Sequence, residues 1–293
     1  MIESLQLLFT LGLALLMLVS TGSFLFHFFV TRNNPNLPQS SGESYLKAFL
    51  SEGVLTLIHG MLWPLGWFPI PSQSRFVEAG GPPIVLLPGI LGTRGNLMPL
   101  YWRLEKAGYQ NIYLHNLSPF NGSLEKQAHV LHQHLDTICR LSNGKPLCII
   151  GFGSSGLVLR TLLDRFPNLP VERFIALGCA HHGTQLGVLN PGRQSHLHHH
   201  KSDFLTNLRP LEIPVTSIVS TLDQFIIPPL QRLDDSGETE KWIQLENIGH
   251  FQLLYSKSVI ESITAQLSSA SSPLSSPAVK SPQSSGKPES NES

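Results

Sequence analysis

From Pro83 to Leu267 short apolar runs alternate with longer segments of helical spacing, and that alternation restricts the fold more than any other feature. Pro83–Pro88 (PIVLLP) runs into Gly89, and Asn96–Ala107 then has helical spacing and stops at Gly108. Ile112–Asn116 reads as a strand. Leu124, Ala128, Leu131, Leu135 and Ile138 lie three or four residues apart, one apolar face of a helix opened by Ser123 and closed near Gly144. Leu147–Ile150, Phe174–Gly178, Val215–Ser220 and Trp242–Leu245 are further strand candidates, and Val259–Leu267 is a final helix. Strands that are apolar at almost every position are buried on both faces, so the expected class is α/β: a mostly parallel sheet flanked by helices. In such sheets the chemistry collects at the carboxyl ends of the strands.

The unusual residues fall at those ends. Cys148–Arg160 (CIIGFGSSGLVLR) is an apolar run, a cluster of Gly and Ser, and the start of a helix. That is the layout of a nucleophile elbow, a sharp strand-to-helix turn that presents a serine. A G-x-S-x-G pattern laid on Gly151 puts Gly153 at the nucleophile position, with Ser154 one residue later. Ester hydrolysis also needs a base, an acid that orients it, and donors for the oxyanion. Asp223 follows the run Val215–Ser220 and His250 follows Trp242–Leu245, each in a short polar turn and in the chain order nucleophile, acid, base. Taken singly, an Asp in a turn is a cap or a solvated charge, and a single His is structural; together, in order, they point to a catalytic pair. Asp234 and Asp235 compete for the acid role but lie in the polar run DDSGETE. The exit of the first strand, LLPGILGTRGN, is a turn rich in glycine, where Gly89 permits a close approach and the Ile90 amide is one oxyanion donor candidate. The Ser154 amide is the other.

With these motifs in place, Pro82 to Leu267 resembles the bacterial triacylglycerol lipases and esterases of the α/β-hydrolase fold. In that family a strand runs into H-G, the elbow reads G-H-S-x-G-G, a later strand ends in A-P-H-x-G-T, and D-x-x-V-P and a G-H motif follow. Here Pro88-Gly89, Ala180-His181-His182-Gly183-Thr184, Asp223 with Pro228-Pro229, and Gly249-His250-Phe251 stand at the matching places. The resemblance implies Asp223 as triad acid, His250 as triad base, and the Ile90 and Ser154 amides as oxyanion donors. The chain departs from the pattern at Pro88, where only a side chain differs, and at Gly153, where the nucleophile itself is replaced.

Three considerations favour Gly153 as the elbow tip. Registered there, the residues two before and two after are Gly151 and Ser155, both small; registered on Ser154 they are Phe152 and Gly156, and Phe152 is bulky where the turn is tightest. Glycine takes the positive φ of an elbow at almost no cost. A hydroxyl moved one residue into the helix is rotated by about 100° and raised by about 1.5 Å, and a misplacement of about 1 Å already costs around 100-fold. The leading expectation is therefore a lipase-like domain without its standard nucleophile, acting as a ligand-binding or partner-binding pseudo-hydrolase. The alternative is a working carboxylic-ester hydrolase using Ser154 with His250 and Asp223. A φ near +60° at residue 153 favours the first, and at residue 154 the second.

The ends of the chain are read by composition. Leu5–Val30 carries no Asp, Glu, Lys or Arg, enough to span a bilayer with some tilt, and residues 1–32 are expected to be a retained membrane anchor. Residues 33–79 are expected to be a linker holding a second apolar stretch, Val54–Ile70. Its Trp63 and Trp67, with Lys47 and Glu52 upstream, suit an interfacial helix or the second arm of a hairpin. Arg32, Lys47 and Arg75 follow the first span and nothing basic precedes it, which puts the domain in the cytoplasm if there is one span. Residues 80–267 form the α/β domain, and 268–293, rich in Ser and Pro, a disordered tail. Twenty basic and twenty acidic residues balance, so no polyanion such as nucleic acid is expected as a partner. The expected partners are the lipid bilayer, an acyl, lipid or ester ligand, and a protein. Cys139, Cys148 and Cys179 suggest neither a disulfide framework nor a Cys-based metal site, and no cofactor is expected. The run containing His196, His198, His199 and His200 reads as a solvated, pH-responsive loop rather than a metal site.

Overall fold

The computed structural model describes residues 2–69, 76–117, 123–189, 199, 202–232 and 240–269. Asp234, Asp235, His196, His198, His200 and the segment 270–293 lie outside them. Six strands, β1 (Ile84–Leu87), β2 (Ile112–Leu114), β3 (Leu147–Phe152), β4 (Val171–Leu177), β5 (Val215–Ser220) and β6 (Glu240–Leu245), make one sheet in the order β2-β1-β3-β4-β5-β6. Every neighbouring pair is parallel. The strand order reverses between β1 and β3, so the crevice at their carboxyl ends is the topological switch point where an open α/β sheet holds its ligand.

Successive residues of β1 show why the strands are apolar throughout. Val85 and Leu87 pack under α4 (Leu124–Leu141) and α5 (Ser155–Arg165), while Ile84 and Leu86 pack under α3 (Met98–Lys106) and the last helix, Lys257–Ser269. The period-4/3 face read from the sequence is the buried face of α4: Ala128, Leu131, Leu135 and Ile138 are all buried. Ser123 caps it by accepting the Lys126 amide at 3.2 Å. At the other end Gly144, at φ 76°, donates to the Cys139 carbonyl at 2.8 Å. Two strands begin earlier than their apolar runs. β4 starts at Val171, and β6 starts at Glu240 with Lys241 exposed. As the edge strand, β6 has no neighbour beyond it among the described residues, so polar residues are tolerated and the apolar signal is short.

Two long helices precede the sheet. Residues Ile2–Arg32 form α1, and Gly42–Leu62 form α2, which Ser41 caps through the Ser44 amide at 3.1 Å. The pair packs side by side, joined by Thr56 Oγ1 donating to Ser20 Oγ (3.1 Å) and by Tyr45 Oη contacting Thr31 Oγ1 (2.6 Å) and His27 Nδ1 (3.1 Å). Pro64 then leads the chain into the 3-10 turn Trp63–Trp67. Of the apolar stretch expected over Val54–Ile70, Val54–Leu62 is thus the end of a longer helix and Trp63–Trp67 the 3-10 turn that follows it. Both helices also pack on the sheet domain: Phe24 of α1, Ala48 of α2 and Leu222 form a small apolar cluster, and Glu52 of α2 is fully buried. Many outward side chains of both helices are apolar and exposed, among them Leu7, Leu15, Leu18 and Phe29 of α1 and Leu46, Leu50, Val54 and Met61 of α2. Two stretches, Gln6–Arg32 and Gly42–Trp67, are long and apolar enough to cross a membrane.

The three cysteines are free. Cys148 and Cys179 are buried, and burial pushes both thiols up to about 12. Only Cys139, half-buried on α4, is open to reagent. Because the thiolate is the reactive form, the folded chain is expected to take up one equivalent of maleimide, at Cys139, and three after denaturation. Intact-mass measurement at neutral pH checks this.

Candidate active site

Asp223 and His250 come together at the carboxyl ends of β5 and β6. Asp223 Oδ1 accepts the amides of Phe225 and Ile226, both at 3.0 Å, which fixes the carboxylate in its turn. Its Oδ2 lies 2.8 Å from His250 Nδ1. A carboxylate only accepts, so Nδ1 carries the proton and the Nε2 lone pair points the other way. Both side chains are buried. The imidazole is held between Phe152, 4.3 Å between ring centres, and Phe225, 5.3 Å.

Nε2 faces Gly153. That residue has φ 59°, a conformation available to glycine and costly for others. A Cβ built there would lie 3.3 Å from His250 Nε2 and 3.6 Å from Gly89 Cα. Ser154, by contrast, sits at φ −70° and ψ −10°, in helical geometry at the start of α5. Among the described residues no hydrogen bond joins it to His250. Ser155 is turned inward, its Oγ donating to the Phe152 carbonyl at 2.9 Å.

The first-strand exit forms a tight turn, closed by the Gly92 amide on the Gly89 carbonyl at 3.0 Å. Leu91, within it, has φ 55°. Its carbonyl accepts the Trp63 indole N–H at 2.7 Å, so the segment after α2 holds this turn. Among the described residues neither the Ile90 amide nor the Ser154 amide has an acceptor. Each can therefore donate to a bound oxygen. No group of three or more His, Cys, Asp or Glu among the described residues is disposed to hold a metal ion.

No protein-family profile matches the chain, and no curated protein sequence does. Solved structures do. Lipase B of Aspergillus fumigatus superimposes with a TM-score of 0.57 at 18% identity, covering 67% of this chain and 55% of that one. The chain has the α/β-hydrolase fold. The hydrolase MGS-MChE2, from a lagoon-sediment metagenome at Mar Chica in Morocco, gives a TM-score of 0.49 at 17% identity, over 65% of this chain and 92% of that one. At such identities the likeness concerns the fold alone, and the chain spans about half the length of the lipase B it matches.

Within this α/β-hydrolase fold, one site residue lies outside the sheet domain and escapes a reading of the sequence. Glu52 of α2 enters the loop that carries His250. Its Oε2 accepts from Gln224 Nε2 (2.7 Å) and the Phe251 amide (3.0 Å), and its Oε1 from the Gln252 amide (2.8 Å). Gln224 in turn accepts the His250 amide at 3.0 Å. Gly249 is a glycine because a Cβ there would overlap the Glu52 side chain. His59, two turns further along α2, packs on Phe251 at 4.3 Å between ring centres. In the sequence the only signal is a carboxylate beside an apolar stretch, which reads as a flanking interfacial charge; its partners lie about two hundred positions away.

Each buried donor left without an acceptor costs about 1–3 kcal/mol. Glu52→Ala strands Gln224 Nε2 and the Phe251 and Gln252 amides, and is expected to lower stability by at least about 2 kcal/mol on that basis. Glu52→Gln, which keeps one acceptor, loses less. Thermal unfolding of the full chain in detergent measures both, and an unchanged midpoint in the alanine variant removes the clamp.

Proposed function

We propose that this chain is a membrane-associated α/β-hydrolase-fold protein whose site binds an acyl or ester ligand, or a partner presenting one, without ordinary serine-hydrolase turnover. One observation carries the reading: the backbone turns at φ 59° at Gly153, and His250 Nε2 stands 3.3 Å from where a side chain would begin. The Asp223–His250 pair and two amide donors then surround a position that holds no nucleophile. What remains is a polar cradle suited to a carbonyl oxygen, with the base still oriented by its acid.

The membrane part of the proposal rests on the outer faces of α1 and α2. We read α1 as the anchor. α2 lies between lipid and domain, because its other face gives Glu52 to the His250 loop. Trp63 and Trp67, 38% and 56% exposed, mark the water–lipid boundary where such rings settle. The side of the membrane follows from Arg32 and Lys47 as the cytoplasmic one, on the one-span reading.

Fluorophosphonate labelling of the full chain in detergent, with mass mapping of any adduct, tests the site. The natural protein is expected to stay unlabelled. Gly153→Ser is expected to be labelled at residue 153: the serine oxygen bonds to phosphorus, fluoride leaves, and the hydroxyl proton passes to His250 Nε2. A stoichiometric adduct on Ser154 in the natural protein would sink the proposal and establish an active hydrolase.

A further inference from the structure

A second cleft, of about 400 Å³, opens at the carboxyl end of β2. Its walls come from four places: His115 and Asn116 at the strand end, His134 on α4, Arg94 in the turn after β1, and Trp67 after α2. The two imidazoles are stacked, 4.4 Å between centres and 29° between planes. Each has a buried Nε2 with no hydrogen-bond partner among the described residues. Folded proteins leave few buried polar atoms unpaired, because each one costs stability.

The charge around them points to a ligand that would pair them. Among the described residues Arg94 is the formally charged group in the wall, and no carboxylate lines the cleft. Its Nε donates to the Gly66 carbonyl at 2.9 Å and its Nη2 to the Phe68 carbonyl at 2.7 Å, while the Asn116 side chain accepts the Arg94 amide at 2.7 Å. The guanidinium is thus fixed in place with its Nη1 uncommitted among the described residues. Burial, then His134 and Arg94, holds His115 down to about 3, and burial and Arg94 hold His134 below the usual imidazole range. A bound anion would offset both effects. A fixed guanidinium and two neutral imidazoles, each able to carry its proton on the unpartnered Nε2, arrive from separate elements and match a tetrahedral group with several acceptor oxygens better than a planar carboxylate.

Trp67 supplies the source. It forms part of the cleft wall and is 56% exposed, next to Phe68 at 63%, where the apolar surface of α2 ends. We propose that this cleft binds a phosphate group, that of a phospholipid head group lying at the membrane surface. The lipid source rests on the membrane reading above; the phosphate site does not, and neither depends on Gly153.

The test uses the full chain in detergent. Native mass spectrometry compares retention of phosphatidic acid with that of diacylglycerol bearing the same acyl chains, so that the phosphate is the sole difference. Inorganic phosphate is titrated separately against thermal stability and tryptophan fluorescence. The natural protein is expected to prefer phosphatidic acid, and the double variant His115→Gln, His134→Gln to lose roughly tenfold of that preference, the worth of one charge-assisted contact. Val130→Glu, which adds a carboxylate to the cleft wall without removing any ligand-facing group, is expected to abolish it and guards against misfolding of the first variant. Stabilisation by inorganic phosphate with no lipid preference would overturn the head-group source and leave the phosphate site standing. No preference and no phosphate effect would overturn the site itself, whatever the labelling at residue 153 reports.

Discussion

The carboxyl group of Glu52 is the contact on which the arrangement of the chain depends. It takes three donors from the loops of the sheet domain that position His250, and it comes from the middle of a helix whose opposite side is bare leucine, valine and methionine. A carboxyl group in such a place must be hydrogen-bonded or the helix would not tolerate it. The same contact therefore secures two things: the docking of the apolar hairpin and the position of the imidazole. Gly249, stripped of a side chain to let Glu52 in, records the closeness of the fit.

At the site itself the polar groups are held in place around Gly153. Asp223 is oriented by two amides, His250 by Asp223 and by Gln224 through its own backbone. In an elbow occupied by serine, positive φ is strain that the surrounding structure must hold, on the order of 1–3 kcal/mol. Glycine at φ 59° carries almost none. Glycine therefore holds this turn at positive φ without strain.

Much of this is legible in the sequence, for physical reasons that differ by element. The strands buried on both faces announce themselves, because a short apolar run ended by glycine suits a covered strand and little else. So does α4, through its spacing and its Ser123 cap. The order of Asp223 and His250 after their strands places the pair, and the small residues flanking Gly153 place the turn. Contacts between remote segments leave no such trace. Glu52 looks like a boundary charge because its acceptor role arises only when α2 lies against the His250 loop. His115 and His134 look like isolated histidines because stacking is decided by the crossing of β2 and α4, not by spacing. The polar start of β6 is hidden for the opposite reason: an edge strand needs little apolar signal.

The Trp63 indole, bonded to the Leu91 carbonyl, ties the turn bearing the Ile90 amide to the aromatic segment that ends the apolar hairpin. Ile90 and Leu91 are themselves exposed there, at 43% and 47%. On the membrane-associated reading, this sets the mouth of the cradle beside the leaflet rather than facing bulk water. A ligand would then arrive by lateral diffusion, and how full the site is would follow the mole fraction of that ligand in the leaflet, largely independent of its concentration in solution.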